Sequence, residues 1–420
     1  MELFLKNVRF LDWQTLEFKE CHLRVNEGID NSIEFIDEKM LPATAIDCIG
    51  KIVTKSFGCG HHHVYSALAR AMPAPAKIPH NFPEILEYVW WALDKKLTAP
   101  IIEASALVTA LNCAKNGVTF VIDHHASPFA IENSLEIIGK AFDRIGVSHL
   151  LCYEISDRDG EIPARNGLAE TGNYLENCGQ GLVGLHASFT ISDSLLKEAV
   201  KLAQKYDSGI HVHAAEDMSD QEQAIHTYGK RVIRRFADSG ALHFNKTILA
   251  HCLHIDDDER QILEKSNAYV AQNTESNQNN NVGIFNPVGL DKKRILLGTD
   301  GMHSDMLRSA KAAFLAGQQT GGVSGSDIYR RFRNIHHYIQ NNQFKGDGEN
   351  NLVILDYDSP TPVETGNFAG HFIYGIDSRH VESVISNGRL IVHNRKILTV
   401  DESEILEFSS QMARKLWNSL

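Results

Sequence analysis

The chain has 420 residues, 43% of them hydrophobic and 22% charged, with 30 Gly and 11 Pro, which suits a folded globular protein and excludes a low-complexity or disordered one. Its length exceeds the roughly 250–300 residues at which a single core stops growing, so one large domain and a smaller one are expected. A formal charge of -12 gives no basic footprint for a phosphate backbone or an anionic bilayer, so neither nucleic acid nor a membrane is an expected partner.

The seven Cys are scattered without a CxxC pair, which fits reduced thiols and a cytoplasmic location. Met1-Glu2-Leu3-Phe4-Leu5-Lys6-Asn7-Val8 lacks the basic start and long apolar run of a signal peptide. No uninterrupted apolar stretch approaches the roughly 20 residues of a membrane-spanning helix. The unusual feature is 21 His, several of them where strands should end.

In chain order, residues 1–54 alternate in short extended pieces (Leu3-Phe4-Leu5, His22-Leu23-Arg24-Val25, Ile33-Glu34-Phe35-Ile36) broken by Gly28, Asn31 and Pro42. Residues 55–345 alternate short apolar runs with helical stretches, the pattern of parallel βα units. The strand candidates are Ile52 to Phe57, Val118 to Asp123, Val147 to Glu154, Leu182 to His186, Gly209 to His213, Thr247 to His251, Ala268 to Gln272 and Ile295 to Gly298. After the first, Ala71 to Pro83 carries four prolines and reads as a long loop over the mouth. Thr98 as cap, Pro100 in the first turn and Gly117 as stop bound the next helix. Residues 346–420 return to the first texture, with strand candidates at 351–355, 371–374, 381–385 and 389–392 before a closing helix. The expected fold is α/β, a (β/α)8 TIM barrel over residues 55–345 with a small β-sandwich made from both chain ends.

In such a barrel, side chains at the C-terminal ends of the strands converge on one site. The first candidate strand runs into Gly60-His61-His62-His63, and residues two apart on a strand share a face, so His61 and His63 can hold one ion. The fifth gives His211-Val212-His213-Ala214-Ala215-Glu216, with His213 the better ligand and Glu216 just above it. The sixth ends in His251, and the eighth in Gly298-Thr299-Asp300-Gly301, where a carboxylate after a buried strand needs a cation or donor partner. Taken singly, the first cluster reads equally well as a solvated loop, and His211 with His213 as packed core histidines. In combination these motifs are far more specific.

HxH, then HxxE, then a strand-end His, then GTDG, in that order, resembles the amidohydrolase superfamily, in its guanine-deaminase and chlorohydrolase-like branch. Tyr65-Ser66-Ala67-Leu68-Ala69-Arg70, Asp123-His124-His125-Ala126-Ser127-Pro128, Cys152-Tyr153-Glu154, Asp157-Arg158-Asp159-Gly160 and Leu185-His186-Ala187-Ser188-Phe189 are similar to SsnA-type aminohydrolases. The resemblance implies metal ligands at His61, His63, His213 and Asp300, with Glu216, His251 and Asp300 as catalytic acid/base and polarising groups. It places His186 at a substrate contact; Arg70, His124, His125, Glu154, Arg158 and His303 are further candidates for substrate specificity, each equally readable as a surface or supporting residue, and of these Arg158 is kept with His186 as substrate-binding. Asn273-Thr274-Glu275-Ser276-Asn277 departs by one residue from the usual NPxSN, and Lys55-Ser56 replaces the usual Pro-Gly before HxH.

Binuclear members carry a carboxylated Lys on the fourth strand; Gly181-Leu182-Val183-Gly184-Leu185-His186-Ala187 has none, so one divalent ion is expected. Three imidazoles and a carboxylate suit zinc, and iron accepts the same set. The implied reaction is hydrolytic deamination of a small amino-substituted heterocycle. Hydrolysis of an amide or cyclic amide, or of a C–Cl bond, uses the same activated water, and a non-catalytic scaffold is the reading from another class. A homodimer is the expected assembly.

Overall fold

The structure, a computed structural model, describes residues 2–420. Its centre is eight parallel strands: β1 (Phe57–His62), β2 (Val118–His125), β3 (Ser148–Tyr153), β4 (Val183–Ala187), β5 (Ile210–Ala214), β6 (Ile248–His251), β7 (Tyr269–Gln272) and β8 (Ile295–Leu297). β1 to β3 pair in one sheet and β4 to β8 in another. The sheet edges meet at isolated parallel bridges, Ile155 with Leu185 and His62 with Asp300, rather than through continuous ladders. Apart from Ser148 and His149, every residue of these strands is buried. Burial on both faces is why they read as apolar runs rather than as alternating ones.

The terminal segments join in one nine-stranded sheet. Its order is Lys396–Ile397, Arg389–His393, Val381–Ser386, Leu352–Leu355, Ile52–Lys55, Leu3–Leu11, Phe18–Val25 and Ile33–Ile36, with Ile46–Asp47 beside Leu3–Leu11. Ile52–Lys55 lies between the two chain ends, parallel to Leu3–Leu11 and antiparallel to Leu352–Leu355. Leu5, Val8, Leu23, Val25, Val53, Leu352, Ile354 and Ile385 form this sheet's own apolar cluster.

Two expectations require correction. The run from Ile52 to Phe57 is not the first barrel strand: its first four residues belong to the terminal sheet, and β1 begins at Phe57. The Ser56 amide donates to the Asn351 carbonyl and the next amide, Phe57, to that of Gly117, so the chain passes between sheets within one residue. His371 to Tyr374 is not a strand but part of a helix, Phe368–Tyr374, whose Phe372 packs edge-on against Tyr329 and Phe332. The proline-rich loop leads into a helical segment over Phe82–Asp94, and the expected helix follows it at Ala99–Lys115, with Thr98 at its N-cap and Gly117 at φ +80° beyond its end. No single helix among the described residues is long and apolar enough to cross a membrane.

Candidate metal centre and active site

The C-terminal ends of β1, β5, β6 and β8 bring His61, His63, His213, His251 and Asp300 together. His63 Nε2 lies 3.0 Å from Asp300 Oδ1 and 3.0 Å from His213 Nε2, and His61 Nε2 lies 3.4 Å from the same Asp300 oxygen. All are buried. Backbone geometry aims these groups. Ala215, His251 and Asp300 sit in the left-handed region at φ +49°, +74° and +53°, a strain on the order of 1–3 kcal/mol each that the surrounding packing must hold. Gly298 is required two residues before Asp300, because a Cβ there would fall 2.3 Å from Asn273 Oδ1 and 2.8 Å from His61 Cβ.

Second partners fix which ring nitrogen is bare. His63 Nδ1 donates to the His124 carbonyl at 2.6 Å and His213 Nδ1 to that of His186 at 2.8 Å, so both Nε2 atoms carry lone pairs. His251 Nδ1 donates to Asn277 Oδ1 at 2.7 Å, which leaves its Nε2 bare as well. His61 Nδ1 is 2.9 Å from His211 Nε2. Two bare nitrogens 3.0 Å apart beside a carboxylate need a cation between them, either a proton or a metal. Burial would lower the basicity of His63, but the Asp300 carboxylate outweighs it and pushes the pKa up to about 9. Burial pushes His61 down to about 3, and burial with neighbouring imidazoles holds His213 well below the ordinary histidine value. Neutral imidazoles are the ligand form, and the proton between His63 and Asp300 is the one a metal would displace.

The donor set therefore fits a divalent ion. Buried His61 Nε2 and His251 Nε2 have no hydrogen-bond partner. One donor from each of His61, His213, His251 and Asp300 lies within 4.8 Å of the others, and His63 belongs to an overlapping group with His124, Glu154 and His213. His251 Nε2 therefore faces the same space as the ligand candidates.

Glu216 faces the same space, 3.5 Å from His251 Nε2. Burial raises its carboxyl well above the usual range, and the nearby Asp300 charge adds to this. Asp300 itself, despite burial, is held well below that range by His63 and His61. Two carboxyls are thus driven apart, one toward acid and one toward base.

These groups open into a cavity walled by Tyr65, Trp90, Trp91, Phe189 and Met302, with Phe82 and Leu86 from the segment after the proline-rich loop. His186 lines it, its Nδ1 2.6 Å from Thr190 Oγ1. Arg158 lines it too, ion-paired with Asp94 and Asp159 and placed over the Trp91 ring. His124 and Glu154, two of the specificity candidates, are brought together as a pair, and Glu154 lines the cavity; reasoning from sequence did not single out Asn277 or the Trp90–Trp91 wall. A signal for Asn277 was present in the altered NPxSN stretch, as those for the pair were in Asp123-His124-His125 and in Cys152-Tyr153-Glu154, all at strand ends.

A sequence profile of the amidohydrolase family matches residues 52–331, more than half of the chain. The chain belongs to the amidohydrolase family. This amidohydrolase is 28% identical over 351 residues to a 5′-deoxyadenosine deaminase of Methanopyrus kandleri, covering 78% of this chain and 79% of that protein. It is 25% identical over 452 aligned positions to a 5-methylthioadenosine/S-adenosylhomocysteine deaminase of Thermoanaerobacter pseudethanolicus, covering 99% of each. Its fold superposes on the crystal structure of a zinc-bound adenosine deaminase from Xanthomonas campestris with a TM-score of 0.83 at 14% identity, over 99% of this chain and 98% of that one. Family and fold similarity together imply the TIM-barrel architecture.

Proposed function

We propose that this amidohydrolase removes an amino group hydrolytically from a small amino-substituted heterocycle and releases ammonia. The observation that carries the reading is Glu216, a buried carboxyl raised well above its usual range, beside His251 and opposite an ionised Asp300. The names of the deaminase relatives support the reaction class.

His61, His63, His213 and Asp300 would hold one divalent ion, with zinc the expected metal. When bound, such an ion supplies Lewis acidity that brings a water pKa from about 15.7 to roughly 7. Asp300, kept ionised, accepts the proton of the attacking water. Glu216, whose burial favours the protonated form, delivers a proton to the ring nitrogen beside the carbon under attack, so no anion builds on the ring. His251 presents a bare Nε2, fixed by Asn277, and accepts a hydrogen bond from the incoming O–H. The proton held by Asp300 then passes to the amino group and the C–N bond breaks; the remaining O–H proton returns, past His251, to the Glu216 carboxylate, so that ammonia leaves as the ring carbonyl forms and both carboxyls are restored. Each positioned acid or base contributes about 10²- to 10⁴-fold.

The test is ammonia release by zinc-loaded protein across aminopurines and their nucleosides, pterins, aminopyrimidines and triazines. At least one ring should yield one ammonia per ring carbonyl formed. Release from none, with hydrolysis of a cyclic amide instead, would move the reading to an amidase.

A further inference from the structure

The chemistry above leaves a buried ionisable couple at the cavity unused. His124 Nε2 donates to the carbonyl oxygens of Leu185 and His211, each at 3.1 Å, while its Nδ1 lies 3.1 Å from Glu154 Oε2. Any proton shared by the pair therefore sits between Nδ1 and Oε2. Whichever atom holds it, Glu154 Oε1 carries no hydrogen and can only accept.

That oxygen is free to do so. Its ion-pair neighbour, His186 Nε2, is 3.8 Å away, beyond hydrogen-bond reach. The Glu154 side chain is 3% exposed and lines the cavity over the metal-donor group. Its position is fixed by the His124 contact and by its own amide, which donates to the His125 carbonyl at 2.7 Å. A buried acceptor left unfilled is costly, so a ligand that fails to satisfy it is rejected.

Two further features narrow the ligand. Tyr65, Trp90 and Trp91 give the cavity aromatic walls suited to a flat ring. Arg158 is the one Lys or Arg lining it, and Asp94 and Asp159 already neutralise that guanidinium, so no spare cation waits for a phosphate or carboxylate.

We infer that Glu154 is a specificity-determining residue whose Oε1 accepts a hydrogen bond from an N–H or O–H donor on an uncharged heterocyclic substrate. This rests on the reading of the cavity as a heterocycle-deaminating site. It differs from that reading in naming what the substrate must carry besides its amino group.

The test uses zinc-loaded full-length protein in a Glu216→Gln background, so that ligands are bound rather than consumed, with and without Glu154→Leu. Calorimetric titration with adenine against 9-methyladenine probes a ring N–H. Adenosine against 2′,3′-dideoxyadenosine probes sugar hydroxyls. The donor-bearing member of one pair should bind about 10- to 100-fold more tightly, and Glu154→Leu should close that gap to under about threefold. No gap in either pair, or a gap that survives in folded, zinc-loaded Glu154→Leu, overturns the inference. If the Leu variant does not fold, Glu154→Gln keeps the shape without the charge and should narrow the gap by about 10-fold; an unchanged gap there is equally contrary. Ammonia release by the Glu216-containing enzyme, measured in parallel, fails separately if the deaminase reading is wrong.

Discussion

Replacing Asn277 by Leu separates the work of a catalytic hydrogen bond from its contribution to stability. Asn277 Oδ1 accepts from His251 Nδ1 at 2.7 Å, and both residues are buried. Loss of that acceptor leaves a buried N–H unpaired, which alone costs about 1–3 kcal/mol. Asn277 Nδ2, however, is buried without a partner, so Leu also removes an unsatisfied donor and the net loss falls near the low end, about 1 kcal/mol. Turnover has no such offset. Without the acceptor, His251 is free to place its proton on Nε2 and turn a donor toward the site. Partners that orient groups at a metal centre typically carry about 10- to 100-fold of activity or metal affinity. Denaturant unfolding and steady-state kinetics on the zinc-loaded variant should therefore show a small stability change with a large fall in kcat. An unchanged kcat in folded Asn277→Leu would refute the claim that this bond sets the His251 tautomer.

Two further outcomes follow from the same geometry. His213→Ala should abolish tight metal binding, measured by metal content after dialysis against a chelator, whereas His211→Ala, which loses the 2.9 Å partner of His61 and a contact with Cys152 but no ligand, should weaken it by about 10- to 100-fold; equal losses would mean the ligand is misassigned. Burial pushes the Asp220 carboxyl up to about 7, against an ordinary value near 3.9, so the folded state keeps a proton that the unfolded chain releases. Stability should then fall as pH rises from about 4 to about 7 and level off above. Asp220→Asn should remove a loss on the order of 2 kcal/mol between about pH 5 and pH 8, and parallel pH profiles for the two proteins would contradict this.

Much of the architecture was legible because doubly buried parallel strands are written as apolar runs. β2 to β8 fall where such runs predict them. The first strand was misplaced for the same reason: Ile52–Lys55 is also buried on both sides, and nothing in the composition marks Ser56 as the point where hydrogen bonding passes to another sheet. His371-Phe372-Ile373-Tyr374 is too short for periodicity to separate helix from strand, and its docking on Tyr329 and Phe332 decides the matter. At the site, His61, His63, His213, His251 and Asp300 could be named because strand ends converge. Glu154 and His124 could be named only as two of several specificity candidates, because a strand-end His reads equally well as a packed core residue until its carbonyl partners on β4 and β5 are known. Trp90 and Trp91 sit on the helical segment Phe82–Asp94, which the preceding proline-rich loop carries to the cavity along a path that no local pattern encodes.

The central claim is that an ion-activated water and a proton carried by Glu216 remove an amino group. The most direct measurement compares zinc content and ammonia release for wild-type protein and Glu216→Gln on the best ring found in the panel. Both proteins should hold close to one zinc per chain, with ammonia release slower by about 10²-fold or more in the variant. Full turnover by Glu216→Gln, or loss of its metal, would contradict the account.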